Sequence, residues 1–173
     1  IERAKGFGMK VLVYDIRQDQ DFIDKYKVTY VDLDYLLKNS DFVTLHVPLN
    51  EQTKGMIGKK ELDLMKGSAY IINTARGGVV NEPDLYDALK NEKIAGAALD
   101  VFEKEPPEKS PLLGLKNLVA SPHIAAYTRS SLEALDVSAE NVIAVLKGLK
   151  PLEKYIVNKE IFSDWNIYND ILI

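Results

Sequence analysis

Cysteine is absent from the 173 residues, which excludes disulfide bridges and thiolate metal sites and agrees with a reducing compartment. The cytoplasm is therefore the expected address. No apolar run approaches the ~20 residues that a membrane-crossing helix needs, so no membrane partner is expected, and the opening residues form no signal-peptide pattern. Positive charge is in deficit, with 22 Lys and Arg against 26 Asp and Glu. A protein without a cationic surplus lacks the general phosphate affinity of nucleic-acid binders, so nucleic acid is not an expected partner. Histidine is scarce too: His46 and His123 are the only two. Neither has ligand residues at helical or hairpin spacing, so no metal site is expected. Ser121 and Ser130 lack the strand–turn–helix elbow of a hydrolase nucleophile. Repeats and low-complexity stretches are missing as well. Ile1 is not an initiator residue, and the chain is expected to be a piece of a longer protein.

What is present suits one hydrophobic core of ordinary apolar content. Short β-branched runs at 9–14, 28–31, 42–47, 69–74, 95–99 and 118–121 alternate with segments of helical spacing at 32–38, 59–65, 82–91 and 130–147. That alternation predicts α/β architecture, a doubly wound parallel sheet of the Rossmann type. Because the runs are continuously apolar rather than alternating, both faces of the sheet are expected to be covered. Asn81 is the expected N-cap of the third helix, with Pro83 in its first turn. Gly148 and Pro151 should end the last helix, whose apolar face comprises Leu132, Leu135, Val142, Ile143, Val145 and Leu146. Residues 1–150 thus read as one nucleotide-binding domain. An irregular segment, 151–173, carries Tyr155, Phe162, Trp165 and Tyr168 and should pack on something else.

In an open parallel sheet, ligands bind beyond the carboxyl ends of the strands. Those ends carry Asp15, His46, Arg76, Asp100 and His123. A carboxylate such as Asp15, at the end of the second strand of a dinucleotide fold, accepts hydrogen bonds from ribose hydroxyls and favours NAD over NADP. A solvated turn residue is the alternative, and Arg17 nearby could meet a phosphate. Arg76, followed by Gly77 and Gly78, has the planar fork that grips a carboxylate, unless the glycines only make a turn. Any imidazole acid–base step must use His46 or His123. Glu105, stiffened by Pro106 and Pro107, is a candidate partner for a catalytic histidine, or else part of a charged surface loop. His46 reads rather as a structural residue beside a cofactor groove.

Four segments together resemble the D-2-hydroxyacid dehydrogenases: Leu45-His46-Val47-Pro48-Leu49 with Thr53, Asn73-Thr74-Ala75-Arg76-Gly77-Gly78, Asp100-Val101-Phe102-Glu103-Lys104-Glu105-Pro106, and Pro122-His123-Ile124-Ala125. The resemblance covers roughly residues 1–158. It implies an NAD-dependent enzyme that interconverts a 2-oxo acid and a D-2-hydroxy acid. In it, Arg76 binds the substrate carboxylate, His123 is the acid–base residue and Glu105 orients His123. It also implies NAD contacts at Asp15, Ile16, His46, Val47, Pro48, Thr53, Asn73, Thr74, Ala75, Arg76, Asp100, His123, Ala125 and Ala126. Ile124-Ala125-Ala126 after His123 looks like the D-lactate dehydrogenase type. By the same resemblance the parent is a homodimer. The glycine-rich pyrophosphate loop and its strand would lie ahead of Ile1, and 151–173 would return to a substrate domain also outside the chain. Phosphite dehydrogenase chemistry, an NAD-sensing corepressor and an inactive fragment are the alternatives.

Overall fold

The structure is a computed structural model that describes residues 1–152, 154, 156–158 and 160. Two compact units divide it, one ending at Ile124 and the other beginning at Ala125. The first opens with α1 (Glu2–Gly6) and β1 (Leu12–Val13), followed by α2 (Gln20–Tyr26), β2 (Thr29–Tyr30) and α3 (Leu33–Asn39). It continues through β3 (Phe42–Leu45), α4 (Lys59–Leu64), β4 (Tyr70–Asn73), α5 (Glu82–Lys90), β5 (Gly96–Leu99), a 3₁₀ turn (Pro111–Gly114) and β6 (Leu118–Ala120).

All described strand pairs are parallel, but they form two sheets: β1 with β2, and β3-β4-β5-β6. A doubly wound sheet places strands 3 and 2 on one side of strand 1 and strands 4 to 6 on the other. The β1-β2 sheet corresponds to the first flank and the β3-β4-β5-β6 sheet to the second with one strand added, and no described strand bridges β1 and β3.

The core explains the larger sheet. Val43, Leu45, Ile71, Ala97 and Leu99 point to one face and are buried against Leu37 of α3, Leu62 of α4, Leu85 and Leu89 of α5, and Leu112 of the 3₁₀ turn. Asn81 caps α5 by accepting the Asp84 N–H at 3.0 Å, with Pro83 in the first turn as read from the sequence.

Two expectations need correction. Burial alternates along β3 and β4, so the strands are not covered on both faces. Phe42, Tyr70 and Val119, on the face away from the core helices, are 53%, 44% and 70% exposed. A continuous apolar run states that a strand is greasy but not which neighbours cover it. On the open face Phe42 stacks on its register partner Tyr70 at 5.6 Å between ring centres. Gly96 leaves room for that ring, since a Cβ there would lie 3.0 Å from Tyr70 Cε1. The second correction is α2, for which the sequence reading made no provision. Its apolar residues are Phe22, Ile23 and Tyr26, with Phe22 and Tyr26 paired one turn apart at 4.6 Å, and Asp19 caps it through the Phe22 N–H.

In the second unit α6 (Arg129–Leu146) starts one residue earlier than read, because Thr128 and Ser131 cap each other's backbone N–H groups. It ends as expected at Gly148, whose φ is +69°. Its apolar side chains Leu135, Val142 and Leu146 are exposed. The aromatic residues of 151–173 lie outside the described residues. Among the described residues no helix is long and apolar enough to cross a membrane.

The unequal faces give a direct test. Ile71→Ala, within the core, is expected to cost about 2–5 kcal/mol. Phe42→Ala, on the open face, should cost about 0.5–1.5 kcal/mol, the value of a ring pair. Urea unfolding of both variants measures this, and equal losses would show that the open face is covered in solution.

Candidate active site

Parallel, in-register pairing brings the carboxyl ends of β4, β5 and β6 to one edge of the sheet. Strands lie ~4.8 Å apart, so the three loops that follow are neighbours. At the end of β4, Asn73 is only 2% exposed. Its Oδ1 accepts the Ala75 N–H at 3.0 Å and its Nδ2 donates to the Arg76 carbonyl at 2.9 Å. This lacing turns the chain out of the sheet and sets Arg76 on the surface. The guanidinium donates to the Ala75 carbonyl at 2.6 Å, and among the described residues no carboxylate pairs with it. Gly77 is required by contact, because a Cβ there would stand 1.9 Å from the Phe102 carbonyl oxygen. The loop after β4 therefore rests directly on the loop after β5.

Asp100 ends β5 and is 4% exposed. Its Oδ1 accepts the Ser121 hydroxyl at 2.5 Å and the Ile124 N–H at 2.9 Å, while its carbonyl accepts the His123 N–H at 2.8 Å. His123 is thus held in a left-handed conformation, φ +55°, which histidine tolerates better than most residues. Its Nδ1 meets Glu105 Oε2 at 2.8 Å, and Glu105 Oε1 accepts the Phe102 N–H at 3.0 Å. The hydrogen bond from His123, with that from Phe102, holds the Glu105 carboxyl below its ordinary value. A carboxylate on Nδ1 places the proton there and leaves Nε2 as the nitrogen that can exchange a proton with a ligand.

The other sites named from the sequence are distributed as follows. Asp15 and Ile16 follow β1 in the two-stranded sheet, exposed, with Asp15 Oδ1 accepting the Arg17 N–H at 2.9 Å. His46, exposed after β3, has its Nε2 3.0 Å from Thr44 Oγ1. Val47 is half-buried against the core. Thr53 closes a turn by donating to the Pro48 carbonyl at 2.5 Å. Thr74 is exposed and Ala75 buried beside Arg76. Ala125 and Ala126 belong to the second unit. The donor set fits NAD: an exposed carboxylate for ribose hydroxyls after β1, and polar groups after β3 to β6 along one sheet edge. Sequence reasoning missed the structural work of Ser121. A serine two residues before a histidine carries no signal until the Asp100 partner is seen across the strand pair.

Since the folded pKa of Glu105 is depressed from 4.5, its contacts stabilise the fold above that value and are lost as pH falls through the lowered one. Glu105→Gln is expected to be less stable than wild type at about pH 6, with the gap closing below about pH 4. Unfolding measured across this range checks it, and a gap independent of pH would refute an ionised Glu105.

Residues 1–125 match the family described as D-isomer specific 2-hydroxyacid dehydrogenase, NAD binding domain. The glyoxylate reductase of Korarchaeum cryptofilum is 48% identical over 161 residues, which cover 92% of this chain and 48% of that protein. The D-3-phosphoglycerate dehydrogenase of Methanocaldococcus jannaschii is 44% identical over 160 residues, covering 91% of this chain and 30% of that protein. Among solved structures, D-lactate dehydrogenase from Aquifex aeolicus complexed with NAD and lactic acid superposes with a TM-score of 0.75 at 39% identity, over 85% of this chain and 49% of that one. The chain spans about half or less of the length of these relatives. It therefore belongs to the D-isomer-specific 2-hydroxyacid dehydrogenase family, whose NAD-binding domain residues 1–125 match.

Proposed function

We propose that the protein carrying this chain is an NAD-dependent oxidoreductase that interconverts a small 2-oxo acid and the D-2-hydroxy acid. The observation that supports it most is the contact of His123 Nδ1 with Glu105 Oε2 at 2.8 Å, two strands from an arginine that has no carboxylate partner among the described residues. Arg76 binds the substrate carboxylate through two parallel hydrogen bonds, which a planar guanidinium does better than a lysine. His123 holds a proton at Nε2 and passes it to the carbonyl oxygen, and in the reverse direction takes it from the hydroxyl. Glu105 keeps the ring oriented and stabilises the imidazolium. NAD, when bound, supplies or accepts the hydride at the carbon. Asp15 is the proposed acceptor for the adenosine ribose hydroxyls, and the groups after β3 to β6 are the proposed contacts for the remainder of the cofactor. Within the substrate class, Ile124-Ala125-Ala126 favours the D-lactate type, whereas several relatives carry the name glyoxylate reductase.

The test is NADH oxidation by the full-length protein with pyruvate, hydroxypyruvate, glyoxylate and phenylpyruvate. Turnover of at least one acid is expected. His123→Ala should lower kcat by about 10²–10⁴-fold, and Arg76→Ala should raise KM for the acid as well as lowering kcat. Wild-type rates in either variant would overturn its assigned role, and no turnover with NADH bound would point to an NAD-sensing protein or to phosphite as substrate.

A further inference from the structure

We propose that Glu82, at the start of α5, is a positioning residue for the Glu105–His123 pair, an inference that rests on the reaction proposed above. Glu82 Oε1 accepts the Glu103 N–H at 2.6 Å, across 21 positions of sequence. Glu103 is two residues from Glu105, so the bond sets the path of the backbone that delivers the carboxylate.

Apart from Gly77 packed on its Phe102–Glu103 backbone and the Glu105–His123 contact itself, the loop has few ties. Phe102 is buried, but Glu103 to Pro106 are exposed. Glu103, Lys104 and Pro106 border a cavity of about 600 Å³ shared with Glu82, Pro83 and Tyr86 of α5. Packing therefore does not fix these three residues from that side. Glu105 Oε1 bonds within its own loop, to Phe102. Among the described residues, the Glu103–Glu82 bond is the one backbone hydrogen bond that ties 103–106 to another element. Its anchor is firm. Asn81 caps α5 through Asp84 and donates its own N–H to the Ile57 carbonyl at 2.9 Å, and Leu85 and Leu89 seat the helix in the core.

The position carries a cost. Burial, with the Glu103 charge nearby, raises the Glu82 carboxyl above its ordinary value. The charged and titratable groups around the cavity are Glu103, Lys104, Glu108 and Lys109 from the loop and Tyr86 and Asp87 from α5. An acid kept in place against that cost is one whose hydrogen bond is used. Displacing a reacting group by ~1 Å can cost 10²-fold in rate.

Two variants of the full-length protein separate reach from charge. Glu82→Asp keeps the charge and the helix start but withdraws the acceptor by one methylene, whereas Glu82→Gln keeps an oxygen at the same reach. In Glu82→Asp, kcat is expected to fall by about 10–100-fold. The Glu105 carboxyl, followed by ¹³C NMR titration, should move up towards 4.5. Glu82→Gln should retain both wild-type values. Glu82→Asp indistinguishable from wild type in the titration, or Glu82→Gln displaced as far as Glu82→Asp, would overturn the proposal. The titration needs no turnover, so a protein inactive on every acid but with Glu105 shifted in Glu82→Asp alone sinks the reaction and leaves the positioning role supported.

Discussion

The register that sets Asn73 beside Leu99, and Leu99 beside Ala120, governs the rest of the structure. Because the strands are parallel, their chains leave the sheet at one level and on one edge. An antiparallel arrangement would have sent the middle loop to the opposite end. The ladder continues past the strands, with the Asp100 N–H on the Asn73 carbonyl at 2.9 Å and the Ser121 N–H on the Leu99 carbonyl at 3.0 Å. Residues that follow are therefore placed by main-chain hydrogen bonds, before any side chain contributes.

Side chains then lock the loops to each other. Among the described residues the buried polar side chains are Asn73 and Asp100, and both stand at this edge. An unpaired buried polar group costs several times what a made hydrogen bond contributes, so such residues persist where their partners are fixed. Asn73 shapes the loop that bears Arg76, and Asp100 joins the end of β5 to the chain on either side of His123. Gly77 completes the lacing by allowing two backbones to touch.

Much of this was legible beforehand. The six strands stood out because β-branched runs separated by helical spacing leave few alternatives, and the polar residues at their ends fell where a parallel sheet presents ligands. Other features depend on partners distant in sequence. The open face bearing Phe42 and Tyr70 could not be inferred from apolar content, which says nothing about cover. α2, with Phe22, Ile23 and Tyr26 in only seven residues, is too short for a helical period to stand out. Ser121 and Glu82 each act through a hydrogen bond spanning 21 residues, and no local pattern announces such a bond. The left-handed backbone at His123 was equally hidden, since it follows from what Asp100 does to the turn.

That backbone narrows what position 123 can become. Residues at ease with φ near +55° are glycine, asparagine, aspartate and histidine. Of these, histidine alone has a side chain that ordinarily gains and loses a proton near neutrality. Lysine or tyrosine could supply a proton but would strain the turn, and glycine or asparagine would relax it but supply none. Main-chain shape and the proposed proton transfer thus favour the same side chain independently. Substitution at position 123 is restricted twice over, by the turn that Asp100 imposes and by the chemistry the side chain would supply.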